Sequence, residues 1–205
     1  MPCLLIMNNF QKHQKQIQEL KHKPTLLIHI CCGVCSVYPL QYLRQFFNIT
    51  IMFSNSNIYP YEEFDSRLSA LKQYLEYLKD DSIKLIVDEY NYDEYEKQLS
   101  IYANEPEGGK RCKLCYELRM DRCFNYANKH KYDYFTTVMS ISNRKNADWI
   151  NEIGEKLDSK YQNTKYLYAD FKKDDGITKN DAMNKELNLY HQNYCGCRYS
   201  LRSPI

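Results

Sequence analysis

The chain has 205 residues, of which 43% are hydrophobic and 26% charged, with a formal net charge of +2 at neutral pH. That length supports one sizeable core and is marginal for two domains, and the composition excludes a disordered chain. A near-neutral balance excludes a uniformly basic protein, so any nucleic-acid binding requires Lys and Arg gathered on one face.

In chain order, the opening "MPCLLIMNNF" is a short apolar run without a basic leader, a long apolar stretch or a small-residue cleavage site. No segment approaches the roughly 18 apolar residues of a membrane span. A cytoplasmic protein is expected, with no membrane partner. In that reducing setting nine cysteines, an odd number, do not indicate a disulfide framework. Residues 1–23 read as a polar N-terminal extension, helical at best, ahead of a single domain over 24–205.

From Pro24 onward, strands and helices alternate. Short runs rich in branched and aromatic residues predict strands over Thr25–Cys31, Ile49–Ser54, Ile83–Asp88, Tyr134–Met139 and Tyr166–Ala169. The longer segments between them predict helices over Tyr38–Phe46, Glu62–Lys79, Asp93–Ala103, Arg111–His130 and Ala147–Lys160, with a last one over Lys179–Leu189. This order argues for an α/β domain with a mostly parallel sheet and helices on both faces. Sites in such sheets lie at the carboxyl ends of the strands. One conspicuous loop, "NEPEGGKR" over 104–111, carries a Gly pair just before a cysteine pair.

The cysteines fall in tight groups: Cys31, Cys32 and Cys35 close the first strand, Cys112 and Cys115 form C-x-x-C, and Cys195 and Cys197 form C-x-C. Cys3 and Cys123 stand alone and read as packing residues. Three groups distant in sequence can meet at one end of an α/β sheet. Soft thiolates select zinc or iron–sulfur centres, and four suffice for a structural zinc or one [4Fe–4S] cluster. Seven exceed that need, which points to a cluster plus a second metal or a redox-active thiol. A structural zinc knuckle is the plainer alternative, although adjacent Cys-Cys with C-x-C fits it less well than paired C-x-x-C would.

The stretches "LLIHICCGVCSVYPLQYL", "NSNIYPYEEFDSRL", "NEPEGGKRCKLCYELRM", "YFTTVMSISNRKNADWINEIG", "YLYADFKK" and "QNYCGCRYSL" together resemble the QueH-type, cobalamin-independent epoxyqueuosine reductases over about residues 25–202. The resemblance implies a Rossmann-like fold of the nucleotide α-hydrolase group. It also implies reduction of epoxyqueuosine to queuosine at the wobble position of a tRNA with a GUN anticodon. It implies a [4Fe–4S] cluster beside a mononuclear iron, with Cys31, Cys32, Cys112, Cys115, Cys195 and Cys197 as candidate iron ligands. Cys35 stands where the family can carry an aspartate ligand to the lone iron, so it joins the candidates as a metal-binding and catalytic residue.

Removing the epoxide oxygen as water consumes two electrons and two protons. Thiolate-bound iron transfers electrons singly, and an open iron polarises the oxygen. No flavin or nicotinamide glycine fingerprint is present, so an external electron donor is expected. His29 shares a strand face with Cys31 and is the candidate proton donor, with a hydrogen-bonded core histidine as the competing reading. For the tRNA, Lys110, Arg111, Lys113, Arg144, Lys145 and Arg198 are candidate phosphate contacts, with Lys172 and Lys173 in reserve, and Tyr194 a candidate stacking residue. Tyr199 reads as packing. A tRNA sulfur-transfer enzyme on a related fold is a further alternative, but it wants a phosphate-cradling glycine loop where this chain has "CCGVCS".

Overall fold

The computed structural model describes residues 7–201. Its sheet is five-stranded: β1 (Thr25–His29), β2 (Asn48–Phe53), β3 (Lys84–Val87), β4 (Tyr134–Thr137) and β5 (Lys165–Tyr166), in the order β3-β2-β1-β4-β5. All pairings are parallel, with Leu26 opposite Ile49 on one side and Tyr134 on the other. Helices are α1 (Asn9–Gln18), α2 (Val37–Leu43), α3 (Tyr61–Leu78), α4 (Tyr92–Leu99), α5 (Lys110–Lys129), α6 (Ala147–Lys160) and α7 (Gly176–Leu187). Among the described residues none is long and apolar enough to cross a membrane.

Consecutive strand residues face opposite sides, yet Leu26, Leu27, Ile28 and His29 are all fully buried. β1 is therefore covered on both faces, as a central parallel strand must be. Each of these aliphatics contributes about 1.5–3 kcal/mol by leaving water. The chain reverses its direction of winding at β1, which pairs with β2 on one side and β4 on the other, and the site opens at the carboxyl ends of β1 and β4.

The α/β, Rossmann-like expectation matches this sheet, and the boundaries shift for local reasons. β1 ends at His29, because Ile30 turns away after donating to the Met52 carbonyl at 3.1 Å. The helix expected over Asp93–Ala103 gives way at Ser100 to a 3-10 turn. The last helix begins earlier than expected, at Gly176.

Residues 9–18 are helical and dock on the domain. Asn8 and Gln11 exchange backbone and side-chain hydrogen bonds in a capping box. Gln16 then pairs with the backbone beside β5, donating to the Tyr166 carbonyl at 2.8 Å and accepting from the Tyr168 N–H at 2.9 Å. Buried His13 donates from Nδ1 to the Tyr168 carbonyl at 2.6 Å. These bonds cover an otherwise open sheet edge. Cys3 lies outside the described residues.

Candidate metal centre

Just past β1 the backbone is held rather than loose. Asn55 donates to the Ile30 carbonyl at 2.8 Å, and the Ser36 hydroxyl donates to the Gly33 carbonyl at 2.6 Å. Gly33 lies against α3 so closely that a Cβ there would sit 2.6 Å from the Ala70 carbonyl carbon. In this turn the sulfurs of Cys31, Cys32 and Cys35 lie within 4.8 Å of one another, all buried. All described cysteines are free thiols.

The second group gathers beside it. Cys112 and Cys115 occupy the first turns of α5, and the Gly108 N–H donates to Cys112 Sγ at 3.2 Å. The Cys195–Gly196–Cys197 loop lies within electrostatic reach of them: both Cys112 and Cys115 feel the charge of Cys195 and Cys197. The Tyr59 N–H donates to the Gly196 carbonyl at 2.8 Å. Gly196 takes φ of 128°, a conformation side chains disfavour.

Two buried cations lie within electrostatic reach of the groups. Lys145 feels Cys195 first among the thiols, then Cys31, Cys35 and Cys32. Arg119 feels Cys115 first, then Cys31 and Cys195. Both are held protonated, since thiolate charge outweighs the burial that would discharge them. Within the triad, hydrogen bonds from Cys32 and Cys35 draw the Cys31 thiol well below its ordinary range, helped by Lys145 and Arg119. Burial and the neighbouring Cys31 push Cys32 up to about 12. Burial likewise pushes Cys115 up to about 12. A site that already favours one thiolate and supplies fixed positive charge fits a soft-ligand metal centre.

Through Cys35 the triad borders a cleft of about 220 Å³, lined also by Lys145, Asn180, Gln192, Tyr194 and Cys195 among others.

Several expected site residues have other employment. His29 is fully buried, with Nδ1 2.8 Å from the Thr137 hydroxyl and Nε2 3.2 Å from the Ser54 carbonyl. Burial, with Arg119 adding to it, lowers its pKa to about 3. The imidazole is therefore neutral at physiological pH, which corrects its reading as a proton donor. Arg111, read as a phosphate contact, is 3% exposed. It donates to the carbonyls of Tyr102 and Ala103, both at 3.0 Å, and to Glu105, and so ties down the glycine loop from inside. Lys145 faces thiols rather than solvent. Tyr194 is buried, its hydroxyl donating to the Tyr59 carbonyl and its ring under Arg67. Lys172 donates to the Ser140 carbonyl at 2.8 Å.

Lys110 and Lys173 are exposed. Lys113 pairs with Glu152 at 3.2 Å. Arg144 and Arg198 keep side-chain exposures of 43% and 54%. Cys123, on the buried face of α5, is packed in the core. Tyr199 donates to Glu96, with Arg111 over its ring.

Sequence reading missed Arg67, Glu63, Arg119 and Gln192. Arg67 donates to Glu63 at 2.7 Å and to the carbonyls of Tyr194 and Cys195. A Glu–Arg pair four apart on a helix is ordinary surface patterning, and only the burial of this one reveals its role.

A family model described as Epoxyqueuosine reductase QueH matches residues 26–203. The chain is 35% identical over 201 residues to Epoxyqueuosine reductase QueH of Streptococcus pyogenes serotype M1, covering 95% of this chain and 78% of that protein. It is 37% identical over 183 residues to the protein of the same name from Staphylococcus epidermidis, covering 87% and 76%. Against that of Thermotoga maritima it is 32% identical over 180 residues, covering 86% and 90%.

Proposed function

Because the chain belongs to the epoxyqueuosine reductase QueH family, we propose that its cysteine-lined end reduces epoxyqueuosine to queuosine in tRNA. The observation that carries this reading is the convergence of three cysteine groups around two shared buried cations, Lys145 and Arg119. Both epoxide C–O bonds break, a carbon–carbon double bond forms, and the oxygen leaves as water with two electrons and two protons. An external reductant supplies the electrons, and the setting is the cytoplasm.

Cys112, Cys115, Cys195 and Cys197 would hold a [4Fe–4S] cluster, four thiolates completing its ligand set. Cys31, Cys32 and Cys35 would hold a mononuclear iron, with Cys35 on the cleft side. When bound, these centres supply single-electron transfer and a Lewis acid for the epoxide oxygen.

The chain's own groups do the rest. Lys145 and Arg119 would offset the thiolate charge of the metal-bound ligands. Arg67 fixes the C-x-C loop against α3. The cleft admits a base splayed from a tRNA loop with a GUN anticodon. Lys110, Arg144 and Arg198, all exposed, would meet the flanking phosphates.

The test is anaerobic purification, with iron, sulfide and the visible spectrum measured, and nucleoside mass spectrometry of epoxyqueuosine tRNA after incubation with a reductant. Iron with sulfide, a broad visible band and queuosine formation are expected. Stoichiometric zinc, no colour and no conversion would replace the reading with a zinc-binding RNA module.

A further inference from the structure

Gln192 has two ends in different surroundings. Its Nε2 donates to Cys32 Sγ at 3.1 Å, while its Oε1 is buried without any hydrogen-bond partner among the described residues. The side chain lines the cleft alongside Cys35 and Cys195. The two residues that follow it are held: Arg144 donates to the Asn193 carbonyl at 3.2 Å, and Arg67 to that of Tyr194 at 3.1 Å. The amide is thus presented by a braced loop rather than by a mobile one.

A buried carbonyl oxygen without a donor is destabilising unless something that binds supplies one. A metal-bound cysteine sulfur has lost its proton, accepts hydrogen bonds and cannot donate them, so with metal bound the N–H end is the one that belongs on Cys32. The carbonyl end is then left buried and unpaired at the edge of a cleft whose walls include Cys35 and the Lys145 ammonium.

We propose that Gln192 couples substrate to metal ligand. Its Nε2–H holds the Cys32 sulfur, and its Oε1 accepts a hydrogen bond from an O–H or N–H carried by the epoxide-bearing ring. It is a positioning residue: the hydrogen bond to sulfur stabilises the thiolate lone pair and tunes the bound metal, and the bond to the ring sets the epoxide beside the triad. The substrate half rests on the function proposed above; the sulfur half does not.

The experiment uses Gln192→Leu, with Gln192→Glu as a second variant of near-native shape. Cobalt(II) titrated into metal-free protein reports on the thiolates by its sulfur-to-metal charge-transfer band. Loss of the N–H bond raises the sulfur donor level, so both variants are expected to shift that band to longer wavelength. In parallel, affinity is measured for epoxyqueuosine tRNA and for the same tRNA with unmodified guanosine. Gln192→Leu is expected to reduce the preference for the epoxide form by up to about tenfold, the worth of one hydrogen bond, while Gln192→Glu retains most of it.

An unchanged cobalt band in both variants overturns the proposal, and so does an unchanged preference in Gln192→Leu. Absence of turnover or of any epoxide preference in the unsubstituted protein instead strikes the proposed function, and the cobalt band still decides the Gln192–Cys32 bond.

Discussion

Arg67 on α3 donates from Nη1 to the carbonyl of Cys195 at 3.0 Å, across 128 residues of sequence. The same guanidinium holds Tyr194 and pairs with buried Glu63, which also accepts from the Tyr190 hydroxyl at 2.6 Å. One side chain therefore fastens the C-terminal ligand loop to the body of the domain. Arg67→Met leaves Glu63 buried without its partner, and removal of one member of such a pair destabilises by about 3–5 kcal/mol. Thermal melting of metal-free Arg67→Met should show that loss, and iron retained by the C-x-C group should fall with it. Native melting and native iron would show that the loop is held by other means.

The ligand groups are tested one residue at a time. Cys32→Ser, Cys112→Ser and Cys197→Ser should each lower iron content and abolish epoxide reduction, because a hydroxyl is a poor substitute for a soft thiolate. Metal analysis and nucleoside mass spectrometry check this. A variant keeping full iron and activity would place its group outside the site.

Cys35 separates the two centres. Cys35→Ala should lose the lone iron and bring turnover near background while a reducible four-iron spectrum persists. Cys35→Asp, which keeps an anionic ligand, should retain part of the activity. Normal turnover by Cys35→Ala would make this thiol a packing residue.

Charge reversal should be confined to cations that face solvent. Lys110→Glu combined with Arg198→Glu should weaken tRNA binding and flatten its salt dependence, by roughly 0.7 in slope for each single-strand phosphate no longer neutralised. Iron content should stay normal. Binding measured across a salt series would refute this if affinity and slope are unchanged.

His13 gives a pH dependence away from the metal ligands. Burial lowers its pKa, opposed by the bond to the Tyr168 carbonyl. The Tyr42 and Phe171 rings pack on it, and Asp170, Lys173 and Asp174 line the adjoining cavity. The folded state thus binds this proton less readily than the unfolded chain. Above the unfolded value of about 6.5 both are neutral and nothing changes. As pH falls below it the unfolded state gains the proton first and stability declines. Amide hydrogen exchange in α1, corrected for intrinsic rates, should quicken from about pH 7 to about pH 5.5. His13→Gln should flatten that response; an equal response in the variant would assign it elsewhere.

The strands were legible because central parallel strands are short, continuously apolar runs. Thr25 and Tyr134 begin strands where expected. The cysteine groups were legible from spacing and their place beside strand ends. α1 was not legible as a docked element, because Gln16 and His13 attach it through hydrogen bonds and leave little apolar periodicity in the sequence. Arg111 and Lys145 were misassigned for a related reason. Whether Arg111, Lys145 or Arg198 meets solvent depends on segments far away in the chain, and sequence neighbourhood alone treats them alike. His29 was read on the correct strand, but its neighbours Thr137 and Ser54 come from β4 and the end of β2.

The contact of Gly33 with Ala70 limits how this enzyme can be re-engineered. The atoms in the way are backbone, so no rotamer change relieves a side chain at position 33. The thiol turn and α3 therefore form one exchangeable module. A chimera that imports the Cys31–Cys35 loop from a relative and keeps a differently seated third helix would misplace all three sulfurs. A transplant carrying both pieces together would preserve their spacing.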